Sequence, residues 1–310
     1  MSRAARTNLI LFIIIIFLSL IAWYQPGLNK TVIHYLSSLK ADEIHTIAID
    51  RQTIGSIKLN RHGNNWFIEE PYQLPANTLR VNTITALAEK RSYTQFQVED
   101  SELSRYQLDK PPLSIRLNDQ QFVLGNTDPI RQRRYAMNLS DNRRSGKNTV
   151  HLINGVIFYQ LRAALDTFIS PALLPPQAQI KSIKWLDKTL TLDKGRWQLT
   201  PQDADVSSDS IAQLIQFWKQ AQASKVETNV SLDIDNKTLT ESESIIITIS
   251  LPDSDKETKI EKIQYLIIKD GAQIKLLRTD NQIAYWLSPQ ILKLITEFIP
   301  VQGNTGIGTE

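Results

Sequence analysis

The sequence predicts an α+β protein: an N-terminal transmembrane helix followed by two repeated units of antiparallel sheet with packed helices. Three observations predict it. Residues 9–24, LILFIIIIFLSLIAWY, carry no charge. Trp66 and Trp197 open similar runs, NNWFIEEP and RWQLTP, at an offset of 131 residues (197 minus 66). Runs of alternating apolar and polar residues recur along the chain, with two helical patterns inserted in each half. That alternation suits a sheet with one buried face.

The N-terminal run comes first. Its sixteen residues, at about 1.5 Å each, make about 24 Å against a hydrocarbon core of about 30 Å. Thr7, Asn8 and Gln25 extend the helix into the headgroups, and Trp23 and Tyr24 suit the interface. The competing reading is a cleaved signal peptide. Its apolar region is shorter, and its cleavage needs small residues at alternate positions. Around Leu20, Ile21 and Ala22 the second small residue is missing. Residues 1–28 therefore read as an uncleaved anchor. Arg3 and Arg6 hold its start on the cytoplasmic side. The expected location is the inner membrane, single-pass, with the bulk of the chain extracytoplasmic: the periplasm in a bacterium with two membranes. No second apolar run of membrane length follows.

The tryptophan offset extends into a repeat. Ile84 and Ile215 each lie 18 residues after their Trp, and Leu87 and Trp218 each lie 21 after. TIAIDRQTIGSIKLNRHGNNW upstream of the first Trp matches SIKWLDKTLTLDKGRW in kind. VHLINGVIFYQL from Val150 matches AYWLSPQILKLI from Ala284. The units span 44–175 and 178–300, a period too long for a solenoid. In the first, Asn77 caps a helix from Thr78 to Lys90. In the second, Ser207 or Ser208 caps a helix to about Ala221, with Ile211, Leu214, Ile215 and Trp218 on one stripe. A last helix runs from after Asn154 to Pro171 in the first unit. In the second, Ser288 caps it, Pro289 sits in its first turn and Pro300 ends it. The linker PALLPPQAQ, residues 171–179, holds three prolines and is stiff enough to fix the units' mutual orientation. Residues 301–310 read as a disordered tail. Trp66 and Trp197 read as core residues anchoring a helix to a sheet, with a ligand-stacking platform as the alternative.

Composition excludes several chemistries. With 35 basic and 32 acidic residues the net charge is +3, too balanced for a nucleic-acid binder. There is no cysteine, which excludes disulfides, thiolate catalysis and cysteine-ligated zinc. His34, His45, His62 and His151 form no HExxH or other metal spacing, and neither a GxSxG elbow nor a Walker loop occurs. Glu69–Glu70 and Glu99–Asp100 are adjacent pairs that face opposite ways on a strand and read as solvated charge. No catalytic, cofactor-binding or metal-ligating residue is assigned, and no cofactor is expected. One basic cluster stands out in IRQRRYAMNLSDNRRSGK: Arg131, Arg133, Arg134, Arg143, Arg144 and Lys147. It reads as one hairpin, either a solvated loop or a contact for anionic lipid headgroups or an acidic partner.

These residues resemble one family, catalogued as domain of unknown function 4340 and found in bacterial membrane-anchored proteins. Its pattern has a Trp strand, a proline, then Ala-Asp/Asn opening a helix, here Trp66, Pro71, Ala76 and Asn77. A tyrosine-glycine-leucine-aspartate stretch and a proline follow, here Tyr106, Leu108, Asp109 and Pro111, with Gln107 where glycine is usual. Next come a strand ending in glycine, Gly125, and another entered by tyrosine, Tyr135. The resemblance covers most of 44–300, closer in the first unit. It attaches no enzymatic activity. It implies an accessory part of an ABC-type export system, and so a membrane-protein partner besides the bilayer. A periplasmic module binding lipid or polysaccharide and an envelope hydrolase are the rival expectations.

Overall fold

The computed structural model describes residues 3–24, 33–203, 206–230, 244–252, 258–270 and 273–288. Helix α1, Arg3–Tyr24, has 22 residues, so it is about 33 Å long. The stretch Arg3–Ile21 is long and apolar enough to cross a membrane, and none of it is buried against the rest of the chain.

The first unit opens with β1 (His34–Tyr35), β2 (Thr46–Arg51), β3 (Ile57–His62), β4 (Asn65–Glu70) and β5 (Leu74–Pro75). Helix α2 (Thr78–Thr85), β6 (Arg91–Ser92) and β7 (Thr94–Val98) come next. They are followed by β8 (Leu113–Leu117), β9 (Gln120–Thr127), β10 (Arg133–Asn138), α3 (Leu139–Ser145), β11 (Asn148–Asn154) and α4 (Val156–Leu161). The second unit holds β12 (Gln179–Trp185), β13 (Lys188–Asp193), β14 (Arg196–Thr200), α5 (Ser208–Gln220) and β15 (Lys225–Glu227). It continues with β16 (Ser244–Pro252), β17 (Thr258–Asp270), β18 (Gln273–Arg278) and β19 (Ile283–Trp286).

Among the described residues the first large sheet runs β5-β4-β3-β2-β8-β9-β10-β11-β7 and the second β14-β13-β12-β16-β17-β18-β19-β15. In chain order, the strands of the second sheet take the same relative places as those of the first without β5. The pairings are antiparallel, as the α+β expectation requires.

The two Trp strands differ by one residue for a visible reason. Pro71 lies five residues after Trp66, and Pro201 four after Trp197. The β3–β4 pairing slips between Lys58↔Glu70 and Leu59↔Ile68, a bulge that absorbs Glu69. The β13–β14 pairing runs without a slip. Both prolines follow cis peptide bonds. Ile84, Leu87, Ile215 and Trp218, aligned from sequence, are all buried.

Some helices end earlier than expected. Asn77 does cap α2, its side chain accepting from the N–H groups of Leu79 and Arg80. The helix stops at Thr85 and not at Lys90, because the bonds tighten: Leu87 N–H donates to Ile84 and Ala88 N–H to Thr85. In place of one helix up to Pro171, α4 ends at Leu161, and a 3₁₀ turn, Leu165–Phe168, follows. Ser207 caps α5, accepting from Ser210 N–H. The expected helix from Ser288 to Pro300 and the tail lie outside the described residues.

One contiguous core spans both units, crossing between them through Phe168, Ile169, Leu173 and Leu174. The proline linker is pinned into it. Leu173 N–H donates to Ala221 carbonyl at 3.2 Å, and Ala223 N–H to Pro171 carbonyl at 2.8 Å. The Tyr265 hydroxyl donates to the Leu173 carbonyl. Burial pushes the Tyr265 ionisation far up, so the phenol keeps the proton it donates. Trp218 of α5 stacks on the Tyr265 ring, centroids 5.9 Å apart. On the surface, Tyr72 of the first unit bonds Asn229 of the second through its hydroxyl at 2.7 Å.

Candidate functional site

Strands β8 to β11 bury side chains on both faces of the first sheet. Leu113, Ile115, Phe122, Leu124, Ala136 and Ile153 enter the main core. Val123, Met137 and Val150 point the other way and form a second core with Leu108. Phe96, Tyr106 and Tyr135 rim it, with ring centroids 5.6 Å (Phe96–Tyr106) and 4.8 Å (Tyr106–Tyr135) apart. The lid on this face is the 3₁₀ helix Asp100–Tyr106 and the turn after it, which hold the Tyr106–Pro111 motif.

Two backbone positions explain that motif. A Cβ on Gly125 would sit 2.0 Å from the Tyr106 carbonyl oxygen, so only glycine lets the motif close onto β9. Gln107 takes φ 51°, the left-handed region, where its N–H caps the 3₁₀ helix by donating to Ser104. The turn thus keeps the glycine-like conformation although the residue is glutamine. Burial, then the charge of Asp128, raises the ionisation of Tyr135 beneath it. Beside the motif lies a groove of about 280 Å³ lined by Asp50, Gln52, Asp109, Ser114 and Gln121, with Leu108 and Val123 also in its wall. Among the described residues no three His, Asp or Glu side chains gather as a metal ion would need.

The basic residues do not form one hairpin. Strand β10 separates them, and α3 follows it, capped by Asn138 and ended by Gly146 at φ 67°. Six strand residues place the two groups about 20 Å apart. Arg131 is exposed in the β9–β10 turn. The Arg133 guanidinium lies 3.7 Å from the Tyr93 ring centroid. Arg134 is turned into the protein: it is 8% exposed and lies 3.2 Å over the Phe158 ring. Its Nη1 donates to Thr127 Oγ1 at 2.8 Å, and burial lowers its pKa. It cannot touch an anionic partner in this arrangement. At the far end, Arg143 Nε donates to Leu139 carbonyl, Arg144 faces Asp141 at 3.7 Å, and Lys147 is exposed.

Three of the four residues in the acidic pairs are engaged at the surface. Glu70 pairs with Lys58 at 2.8 Å, and Glu69 accepts from Asn60 at 3.0 Å and faces His62. Asp100 accepts from Asn148. Of the tryptophans, Trp66 is core at 8% exposure, whereas Trp197 is half-buried and lines a groove of about 940 Å³ with Gln198, Thr200, Gln202 and Asp203. Asp203 is held by Lys188.

Sequence reasoning missed the buried cation Arg51, and it read His151 as an ordinary surface or core histidine without foreseeing its unpartnered nitrogen. Arg51, at the end of β2, is 2% exposed and donates to Gly55 and Ala163 carbonyls at 2.8 and 2.7 Å. Its place in the apolar alternation of TIAIDR was the available signal. His151 is also buried, and its Nδ1 has no hydrogen-bond partner. Burial, then the nearby His34, lowers its pKa to about 4 against a weaker opposing pull from Asp141.

A long apolar helix joined to an antiparallel α+β body, with a glycine-sealed tyrosine motif on its first sheet, defines the class of protein. The chain belongs to the family described as domain of unknown function DUF4340, whose profile matches residues 66–236. The match starts at the Trp of β4 and reaches past β15. No curated protein and no solved structure matches the chain.

Two outcomes follow. Gln107→Gly relieves the left-handed strain and is expected to stabilise the protein by about 1 kcal/mol; denaturant unfolding measures it, and a loss would contradict the cap geometry. His151 is neutral when folded and takes up a proton more readily when unfolded. Its contribution is therefore whole above about pH 6.5 and drains as pH falls toward about 4. Between pH 7 and pH 4 the wild type should lose about 3 kcal/mol more than His151→Gln. Parallel stability curves for the two proteins would contradict this.

Proposed function

We propose that this protein is a non-catalytic accessory component of an ABC-type transport or cell-envelope assembly, held at the inner membrane by α1 with its body on the periplasmic side. The observation that carries this reading is α1: its run from Leu9 is apolar on all sides and unburied, and Arg3 and Arg6 in its first turns precede that run with no acidic residue between. The association with transport comes from the family resemblance. A docking role is supported by α4, whose Val156 and Tyr159, three residues apart, are both exposed on one helical face. This is a small surface, and a membrane protein is the occupant the accessory reading assigns to it. Glu69, Glu70 and Asp100 are engaged in surface pairs, which supports a non-catalytic reading of the acidic pairs.

A second reading has one observation in its favour. Trp197 beside Gln198, Thr200 and Gln202 joins an aromatic face to hydrogen-bonding amides and a hydroxyl, which suits a saccharide or a lipid headgroup.

Because the chain has no cysteine, Lys219→Cys reports its side of the membrane with a membrane-impermeant maleimide. Labelling in intact spheroplasts is expected, and labelling only after lysis would contradict the orientation. In the same membranes, a photo-crosslinking amino acid at Tyr159, anchor intact, should capture a membrane protein, and the capture should survive Trp197→Ala. Recovery of no membrane protein contradicts the accessory role. A capture abolished by Trp197→Ala favours the binding-module reading.

A further inference from the structure

We propose that the edge of the first unit carrying Arg91, Tyr93, Ile130, Arg131 and Arg133 rests on anionic lipid headgroups of the bilayer that holds α1. The proposal deepens the membrane anchoring proposed above and rests on it.

The chain's own connectivity brings this edge to the membrane. Nine residues, ten Cα–Cα steps, separate Tyr24, the end of α1, from His34, the start of β1. Fully extended, ten such steps reach no more than about 35 Å. On arriving, β1 pairs at once with β6, His34 opposite Ser92 and Tyr35 opposite Arg91. Tyr93 is the next residue. The body thus enters its fold beside these side chains and not at the far ends of its sheets.

The side chains there form one cluster. Arg133 lies 3.7 Å and Arg91 5.9 Å from the centroid of the Tyr93 ring. The β9–β10 turn projects beside them, with Ile130 at its tip 87% exposed and Arg131 exposed next to it. Ile33, Tyr35 and Tyr93 are also large exposed apolar side chains. The acid of this turn, Asp128, faces inward: it is buried, and its Oδ2 accepts from Arg131 N–H at 3.0 Å. The outward surface is left cationic.

That combination fits a headgroup layer. Guanidinium groups fork onto phosphate oxygens, while tyrosine and an apolar tip suit the boundary between phosphate and acyl chain. In water an exposed isoleucine and stacked arginines gain little. Held by a short tether, even weak headgroup contacts act at high effective concentration. The other basic group lacks these features. Arg143, Arg144 and Lys147 sit at the opposite end of β10, and Arg143 and Arg144 are engaged with Leu139 and Asp141.

The test uses the full chain in lipid nanodiscs. A fluorophore is attached at Ile130→Cys or, as the distal control, at Arg144→Cys, and quenching by headgroup-nitroxide lipid is read. In phosphatidylcholine discs with about one third phosphatidylglycerol, the probe at 130 should be quenched at least about threefold more than the probe at 144. That excess should fall toward unity in pure phosphatidylcholine, at about 0.5 M salt, or with Arg131→Glu and Arg133→Glu together. Equal or reversed quenching of the two probes overturns the proposal, as does an excess indifferent to lipid charge and salt. A chain that fails to co-elute with nanodiscs overturns the anchoring itself and the proposal with it. Co-elution without the excess overturns the proposal alone.

Discussion

The Tyr265 hydroxyl, donated to the Leu173 carbonyl deep between the two sheets, holds the architecture together. A proline-rich connection could have been a spacer. Here its middle is buried, because a tyrosine that burial keeps protonated satisfies its carbonyl. Ala221 and Pro171 accept the bonds that close the same crossing. A buried carbonyl without a partner costs about 1–3 kcal/mol, so the bond decides whether Leu173 and Leu174 can enter the core. With them inside, the two sheets share one apolar interior, and we take them to act as one body.

That shared core gives the proposed membrane tether its meaning. If the units swung freely, the place where the chain enters the fold would say little about which surface meets the bilayer. As one body, the molecule would be positioned on the proposed bilayer by the β1–β6 pairing, and Tyr93, Arg91 and Arg133 lie next to it.

Much of this was legible in the residues. Alternation marked the strands, and the 131-residue offset placed Ile84, Leu87, Ile215 and Trp218 inside, because burial periodicity is local and survives without knowledge of the fold. What escaped was non-local. Arg133 and Arg134 are neighbours in sequence, yet strand geometry sends one to Tyr93 and the other under Phe158. Treating the six cations as a hairpin overlooked α3, although Asn138 and Gly146 sit at the cap positions of a short helix. The bulge at Glu69 was present only as a one-residue mismatch between two Trp–Pro spacings. Gln107 could be read as a departure from a glycine pattern, but its left-handed φ and the contact of Gly125 with Tyr106 needed coordinates.

Native-state hydrogen exchange at the crossing tests the one-body claim most directly. The amides of Leu173 and Ala223 should exchange only through the global opening that releases β12 and β16 at the centre of the second sheet. Their protection should match those strands as denaturant is raised. Exchange of the two amides by a local route, orders of magnitude faster than the strands, would show that the linker opens on its own and that the units are not locked together.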